Sequence, residues 1–321
     1  MSINLVWRTD VHLSDRAPAS RTDDWADTVF GKLGQVKDVA RKVKAAAVLD
    51  GGDFFHIKSP GRNSHSLVQR TAIHHADYPC PVYCTPGNHD CVYGDYEFLP
   101  QQPLGVLYAS GVYRRLYDEH EAVFEKDGFK VRVVGVPYHG TSYDMGRFHS
   151  IVKGDEDVLI CVAHVLASKR GGTMFEGEDI VKYKDLLDTA PDVFLFGHWH
   201  KDQGVVEMED KTFINIGSLT RGSLSQDDID RQPACVVLRC DSNEVSVEVV
   251  RLKVGAPEDV FDVEGRARQV KRQVEMDSFV TKIRDALLPK EGEETLTEAV
   301  NGITGIPEEV RERALAYLEQ A

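Results

Sequence analysis

No stretch of this 321-residue chain approaches the roughly 18 consecutive apolar residues of a membrane-spanning helix, so no membrane association is expected. The first residues already carry Arg8 and Asp10 and show no small-residue cleavage pattern, which argues against a secretory leader. Cysteine is scarce. The six are Cys80, Cys84, Cys91, Cys161, Cys235 and Cys240, with no C-x-x-C pair and no disulfide-framework spacing. Several sit in strand-like runs such as Ile160-Cys161-Val162, and they read as reduced, buried thiols of a cytoplasmic protein. A zinc site on Cys80 and Cys84 lacks a second pair to complete it. Positive charge is short: 38 Lys and Arg stand against 52 Asp and Glu, a net charge of −14. Non-specific nucleic-acid binding comes from cations neutralising phosphates, so the chain as a whole is a poor polyanion binder. Attraction to phosphate would have to come from a local patch, a bound metal or a partner. Internal repeats and low-complexity tracts are absent too.

The composition is that of a folded protein, with 42% hydrophobic and 28% charged residues. Short apolar runs recur, and five end in a polar cluster. Leu5-Val6-Trp7 leads to Asp10 and His12, Ala46-Ala47-Val48-Leu49 to Gly52-Asp53, and Val82-Tyr83-Cys84 to Gly87-Asn88-His89-Asp90. Val158-Leu159-Ile160-Cys161-Val162 leads to His164, and Val193-Phe194-Leu195-Phe196 to Gly197-His198-Trp199-His200. Runs of this length and content read as buried strands. Helical spacing separates the first three. Residues 24–43 place Trp25, Val29, Leu33, Val36 and Val43 on one face, and residues 66–76 do the same with Leu67, Val68 and Ile73. Strand–helix–strand alternation implies right-handed parallel crossovers, and ligands of such sheets bind beyond the carboxyl ends of the strands. The five polar clusters are therefore expected at one edge.

The second half looks more antiparallel. Hairpins are expected around residues 126–128, 209–211 and 241–243. The resulting expectation is an α/β fold with two packed sheets, one mixed and one largely antiparallel, helices outside, over residues 1–254. Residues 255–321 form a helical tail: a helix over 262–288 with a basic patch at Arg266, Arg268, Lys271 and Arg272, a break at 290–294, and a helix after Pro307.

Asp10, His12, Asp53, Asn88, His164, His198 and His200 combine carboxylate, imidazole and amide oxygen, a donor set suited to divalent manganese, iron or zinc. A carboxylate such as Asp53 can bridge two ions. Two ions about 3.5–4 Å apart would clamp the attacking and leaving oxygens of an in-line phosphoryl displacement. Two such ions outweigh the charge of Asp10 and Asp53, so the site suits a phosphate despite the acidic chain.

The ordered set Asp10-Val11-His12, Gly52-Asp53, Gly87-Asn88-His89-Asp90, His164 and Gly197-His198-Trp199-His200 resembles the calcineurin-like metallophosphoesterases over about residues 3–220. The resemblance implies a four-layer α-β-β-α sandwich. It also implies one metal held by Asp10, His12, Asp53 and His200 and a second by Asp53, Asn88, His164 and His198. His89 would stabilise or protonate the leaving oxygen, oriented by His56 or Asp90. Gly52-Asp53-Phe54-Phe55-His56, followed by Lys58-Ser59-Pro60, is similar to the SbcD-type nuclease subunit of DNA double-strand-break repair complexes, as is the Gly217-Ser218 loop. In that family the residue matching His56 pairs with the one matching His89. The chain departs from the family in its short tail, where a larger DNA-capping domain is usual, and at Ser14-Asp15.

The resemblance implies a cytoplasmic DNA phosphodiesterase, exonuclease on duplex ends and endonuclease on single strands. Its cofactor would be two divalent ions, manganese first, with magnesium, iron or zinc as alternatives. Its partners would be DNA, an SbcC-type coiled-coil ATPase docking on the tail, and a second copy meeting it through residues 64–76. The rivals are a small-molecule phosphodiesterase or phosphatase with the same site, and a non-catalytic scaffold. The remaining histidines, His65, His74, His75, His120, His139 and His149, lack a motif and are expected at the surface or in loops, with His139 as a candidate to support the site. Tyr138 or Tyr143 is a candidate to stack on a nucleic acid.

Overall fold

A computed structural model describes residues 2–91, 95–172, 177–242, 244–263, single positions from 265 to 281, and 296–320. The chain divides into two compact units, Met1–Phe261 and Asp262–Ala321.

In the first unit, β1 (Ile3–Arg8), β2 (Ala47–Asp50), β3 (Val82–Cys84) and β4 (Tyr113–Arg115) run parallel, linked by α1 (Trp25–Lys42), α2 (His65–Ala76) and α3 (Pro103–Ala109). A second set follows: β5 (Ala122–Lys126), β6 (Phe129–Val136), α4 (Gly146–His149), β7 (Val158–His164), the two-residue pair β8 (Ala167–Ser168) and β9 (Val181–Lys182), β10 (Val193–Gly197), β11 (Asp202–Met208) and β12 (Lys211–Ile216). The unit closes with α5 (Gln226–Asp230), β13 (Ala234–Cys240), β14 (Val245–Arg251) and α6 (Pro257–Val260). One sheet has the order β14-β13-β1-β2-β3-β4 and the other β11-β12-β10-β7-β6-β5.

Alternation along the strands sorts the layers. Leu5, Trp7 and Leu49 of the first sheet pack with Ile160, Val162, Leu195 and Ile214 of the second in one buried cluster. Val6 and Val48, on the other face, pack with Val29, Leu33 and Leu67 of the helices. Helix α1 forms where the apolar stripe predicts. Asp24 caps it by accepting from the Asp27 amide, and Arg41 and Lys42 sit in its last turn against the helix dipole. The outer face of the second sheet carries little helix beyond the four residues of α4. There Phe194, Phe196, Phe213 and Tyr183 stack with ring planes within 7° of one another, and these aromatic pairs stabilise the layer beyond their burial alone.

The two-sheet α/β sandwich matches the expectation, with two corrections. Neither sheet is largely antiparallel: each has three parallel pairings. The β13–β14 hairpin joins the first sheet, where β13 pairs antiparallel with β1, and not the second. A hairpin turn fixes only the local pairing; which sheet the hairpin extends is set by long-range packing.

Among the described residues the second unit holds the helices Leu296–Gly302 and Glu308–Gln320, and the described positions from 263 to 281 are helical. The expected break at 290–294 and the cations Arg266 and Arg272 lie outside the described residues. Among the described residues no helix is long and apolar enough to cross a membrane.

Candidate metal centre

All five polar clusters follow or end β1, β2, β3, β7 and β10, and they converge. The Asp10 amide donates to the Gly52 carbonyl at 3.0 Å, the His12 amide to that of Asp53 at 3.0 Å, and the Leu13 amide to that of Phe54 at 2.8 Å, so the β1 and β2 loops run side by side past the sheet. Asp10, His12, Asp53 and His198 all have φ between 49° and 82°, the left-handed region that costs a non-glycine residue energy. Four strained residues at one edge mark a site whose side chains are aimed rather than relaxed. Gly52 and Gly87 leave room for that aim. A Cβ on Gly52, whose φ is 97°, would lie 2.8 Å from His164 Nδ1, and one on Gly87 would strike the Asp53 carboxylate.

Two donor groups share Asp53. Asp10, His12, Asp53 and His200 each offer a ligand atom within 4.8 Å of the others, as do Asp53, His164 and His198. In the first group His12 Nε2 lies 2.9 Å from His200 Nε2 and 3.7 Å from Asp53 Oδ2. In the second His164 Nε2 lies 3.5 Å from Asp53 Oδ1 and 3.1 Å from Asn88 Oδ1. His164 Nδ1 meets the Gly51 carbonyl at 2.7 Å, which leaves Nε2 for the shared centre. Asp10 is fully buried, held by the Thr9 hydroxyl at 2.7 Å and by the His198 amide.

The electrostatics fit a cation pair. Burial, then the neighbouring His200, holds the His12 imidazole well below its ordinary pKa, so it presents a neutral lone pair. Burial pushes Asp53 upward, but His164 and His12 overcome it and keep its carboxyl well below the usual range. His164 is pushed up to about 9: burial lowers it, and Asp53 and Asp10 more than reverse that. A buried imidazole held charged by carboxylates is a place where a metal can take over the proton's role.

Beside these groups His12, His56 and His89 form a third cluster. The His56 and His89 rings stack at 5.3 Å and 18°, and His89 Nδ1 lies 2.6 Å from the His56 backbone carbonyl. His89 is thus held by His56 through both its ring and its backbone carbonyl. Asp90 lies below: its Oδ2 accepts from the Asp53 and Gly87 amides at 2.8 and 2.9 Å. Burial, then the Asp53 charge, pushes it up to about 8, as expected when two buried carboxyls cannot both ionise.

Other expectations move. His139 Nδ1 meets the Pro137 carbonyl and its Nε2 accepts from the Asp144 amide, ties that hold its own loop. His75, expected at the surface, is 4% exposed. It sits 2.9 Å from Arg8, which is fully buried and also bonds Asp50, Tyr78 and Tyr113. The spacing Leu67, Thr71, His75 on one face of α2 is the signal for it, and Ile73 is 66% exposed on the other side. Nothing in the sequence marks Glu178, yet its Oε1 accepts from His198 Nε2 at 2.8 Å and from the Tyr143 hydroxyl at 2.5 Å. Tyr138 lies against His198, ring centroids 5.3 Å apart.

Residues 6–202 match the model of the calcineurin-like phosphoesterase family. The chain belongs to this family. Its members' metal-dependent phosphoester hydrolysis is the activity that the clustered donors fit. No curated protein matches the chain by sequence. Among solved structures it is similar to the Haemophilus influenzae NAD nucleotidase, at 13% identity and a TM-score of 0.41 over 78% of this chain and 55% of that one. It is also similar to a dimetal phosphatase from Danio rerio, at 10% identity and a TM-score of 0.48 over 78% of this chain and 96% of that one. The chain thus spans about half the length of the nucleotidase.

Proposed function

We propose that this calcineurin-like phosphoesterase is an SbcD-type DNA phosphodiesterase, acting as an exonuclease on duplex ends and an endonuclease on single strands. The observation that carries the reading is the His56–His89 pair, stacked at 5.3 Å on the rim beside His12. It follows the Gly52-Asp53-Phe54-Phe55-His56 motif and opens onto a broad pocket, not a closed one.

In this reading Asp10, His12, Asp53 and His200 hold one divalent ion, and Asp53, Asn88, His164 and His198 hold the other. When bound, the pair, manganese first, draws the phosphate oxygens, stabilises charge on phosphorus and acidifies water. Asp53 keeps the two sets in register, because its two oxygens face different histidines. The Asp53 backbone amide is fixed by Asp90, and Asp53 Oδ1 in turn accepts from the His89 amide at 2.7 Å. That chain of contacts sets His89 against the scissile phosphate. With its Nδ1 proton given to the His56 carbonyl, His89 keeps Nε2 for the departing oxygen.

An SbcC-type ATPase docking on the helical tail and a homodimer through α2, where Ile73 is exposed, complete the proposal. The protein would work in the cytoplasm. The test is nucleotide release from end-labelled duplex and nicking of circular single strands with manganese, magnesium or chelator. Manganese-dependent cleavage supports the reading. Hydrolysis of a nucleoside monophosphate or cyclic nucleotide, with DNA untouched in the presence of the ATPase, would transfer the site to a small-molecule substrate.

A further inference from the structure

An open pocket of about 520 Å³ adjoins the metal centre. His56 and His89 line it together with Arg16, Lys58 and Arg62. All three cations are exposed, and among the described residues none forms an ion pair. Asp15, the carboxylate next in sequence to Arg16, is already committed: it accepts from the Ser64 amide and hydroxyl at 2.8 Å each. The concentration is unusual in a chain of net charge −14. These three line the same hollow as the pair of histidines beside the metal ligands.

We infer that Arg16, Lys58 and Arg62 form a second phosphate subsite, which takes the phosphate next to the scissile one in a phosphodiester chain. The inference rests on the phosphodiesterase reading of the metal centre and narrows its substrate. A phosphate held at His89 has its chain neighbour within reach of this lip. A phosphomonoester has no second phosphate to place there. The lip supplies the local positive potential that the whole chain lacks, and open walls suit a polymer running through better than a small ligand enclosed. Arginine at two of the three positions favours phosphate geometry over a diffuse field.

The test is binding of fluorescent decathymidylate and of tripolyphosphate, with calcium present so that nothing is cleaved. The lip variant Arg16→Gln/Lys58→Gln/Arg62→Gln is compared with a control, Lys42→Gln/Lys44→Gln/Lys126→Gln, that loses the same charge at the opposite ends of the strands. The lip variant should bind both ligands roughly tenfold more weakly, with the salt dependence reduced by about 0.7 per lost phosphate contact, and the control should bind as wild type. Equal weakening in both variants, or none in either, overturns the subsite. So does a wild type that binds neither ligand. Tripolyphosphate binding lost in the lip variant, with decathymidylate unbound by wild type, keeps the subsite and removes DNA as the substrate.

Discussion

The backbone carbonyl of His56 lies 2.6 Å from Nδ1 of His89, while the two rings stack at 18°. The orienting contact is therefore main chain, and the side chain of His56 adds the stack and a 3.3 Å contact of its Nδ1 with His12 Nδ1. His89→Ala should lower kcat by about 10²–10⁴ with metal content unchanged. His56→Ala keeps the carbonyl and should lose the stack, worth about 0.5–1.5 kcal/mol or roughly two- to tenfold, along with the His12 contact. Steady-state kinetics alongside metal analysis check both. An equal loss in the two variants would give the role to the His56 ring.

Asp53 is the one side chain common to both donor groups. Asp53→Asn removes the charge that offsets two cations and should reduce bound metal from about two ions per chain towards none. His200→Ala touches one group alone and should leave about one ion. Elemental analysis of the dialysed protein reads the difference.

Arg8 and Asp50 form an ion pair at 2.8 Å with both side chains fully buried. Asp50 also accepts from the Gly52 amide, so the pair stands directly under the Asp53 loop. Arg8→Met leaves a buried carboxylate without its partner and should cost about 3–5 kcal/mol in urea unfolding. Adding Asp50→Asn should recover part of that loss.

Lys32 on α1 is 2% exposed and lies near Arg21, Arg221, Arg231 and Asp23. Burial, then Arg21, pushes its pKa down to about 7 from 10.5. The folded state thus binds the proton less tightly than the unfolded state. The penalty is fully present below about 7, fades between 7 and 10.5, and is gone above. Lys32→Met should stabilise the protein most at pH 6, with the advantage shrinking by pH 9. Paired denaturation curves at the two pH values measure it, and a constant advantage would contradict the titration.

Local signals account for what the sequence discloses. Strands such as β7 and β10 are short apolar runs that stop at a His or Gly, so their ends, and hence the candidate ligands, can be read directly. Helix α1 is legible because its cap and stripe agree. The partner sheet of β13, the three-residue β4, the Arg8–Asp50–His75 network and Glu178 are illegible for one reason. Each is defined by contacts between residues far apart in sequence, and none leaves a period or spacing behind.

The central claim is that Asp53 joins two metal positions. Anomalous diffraction at the manganese edge from manganese-soaked crystals tests it most directly. The account predicts two peaks about 3.5–4 Å apart on either side of the Asp53 carboxylate. A single peak, or one among His12, His56 and His89 in place of the second, would contradict it.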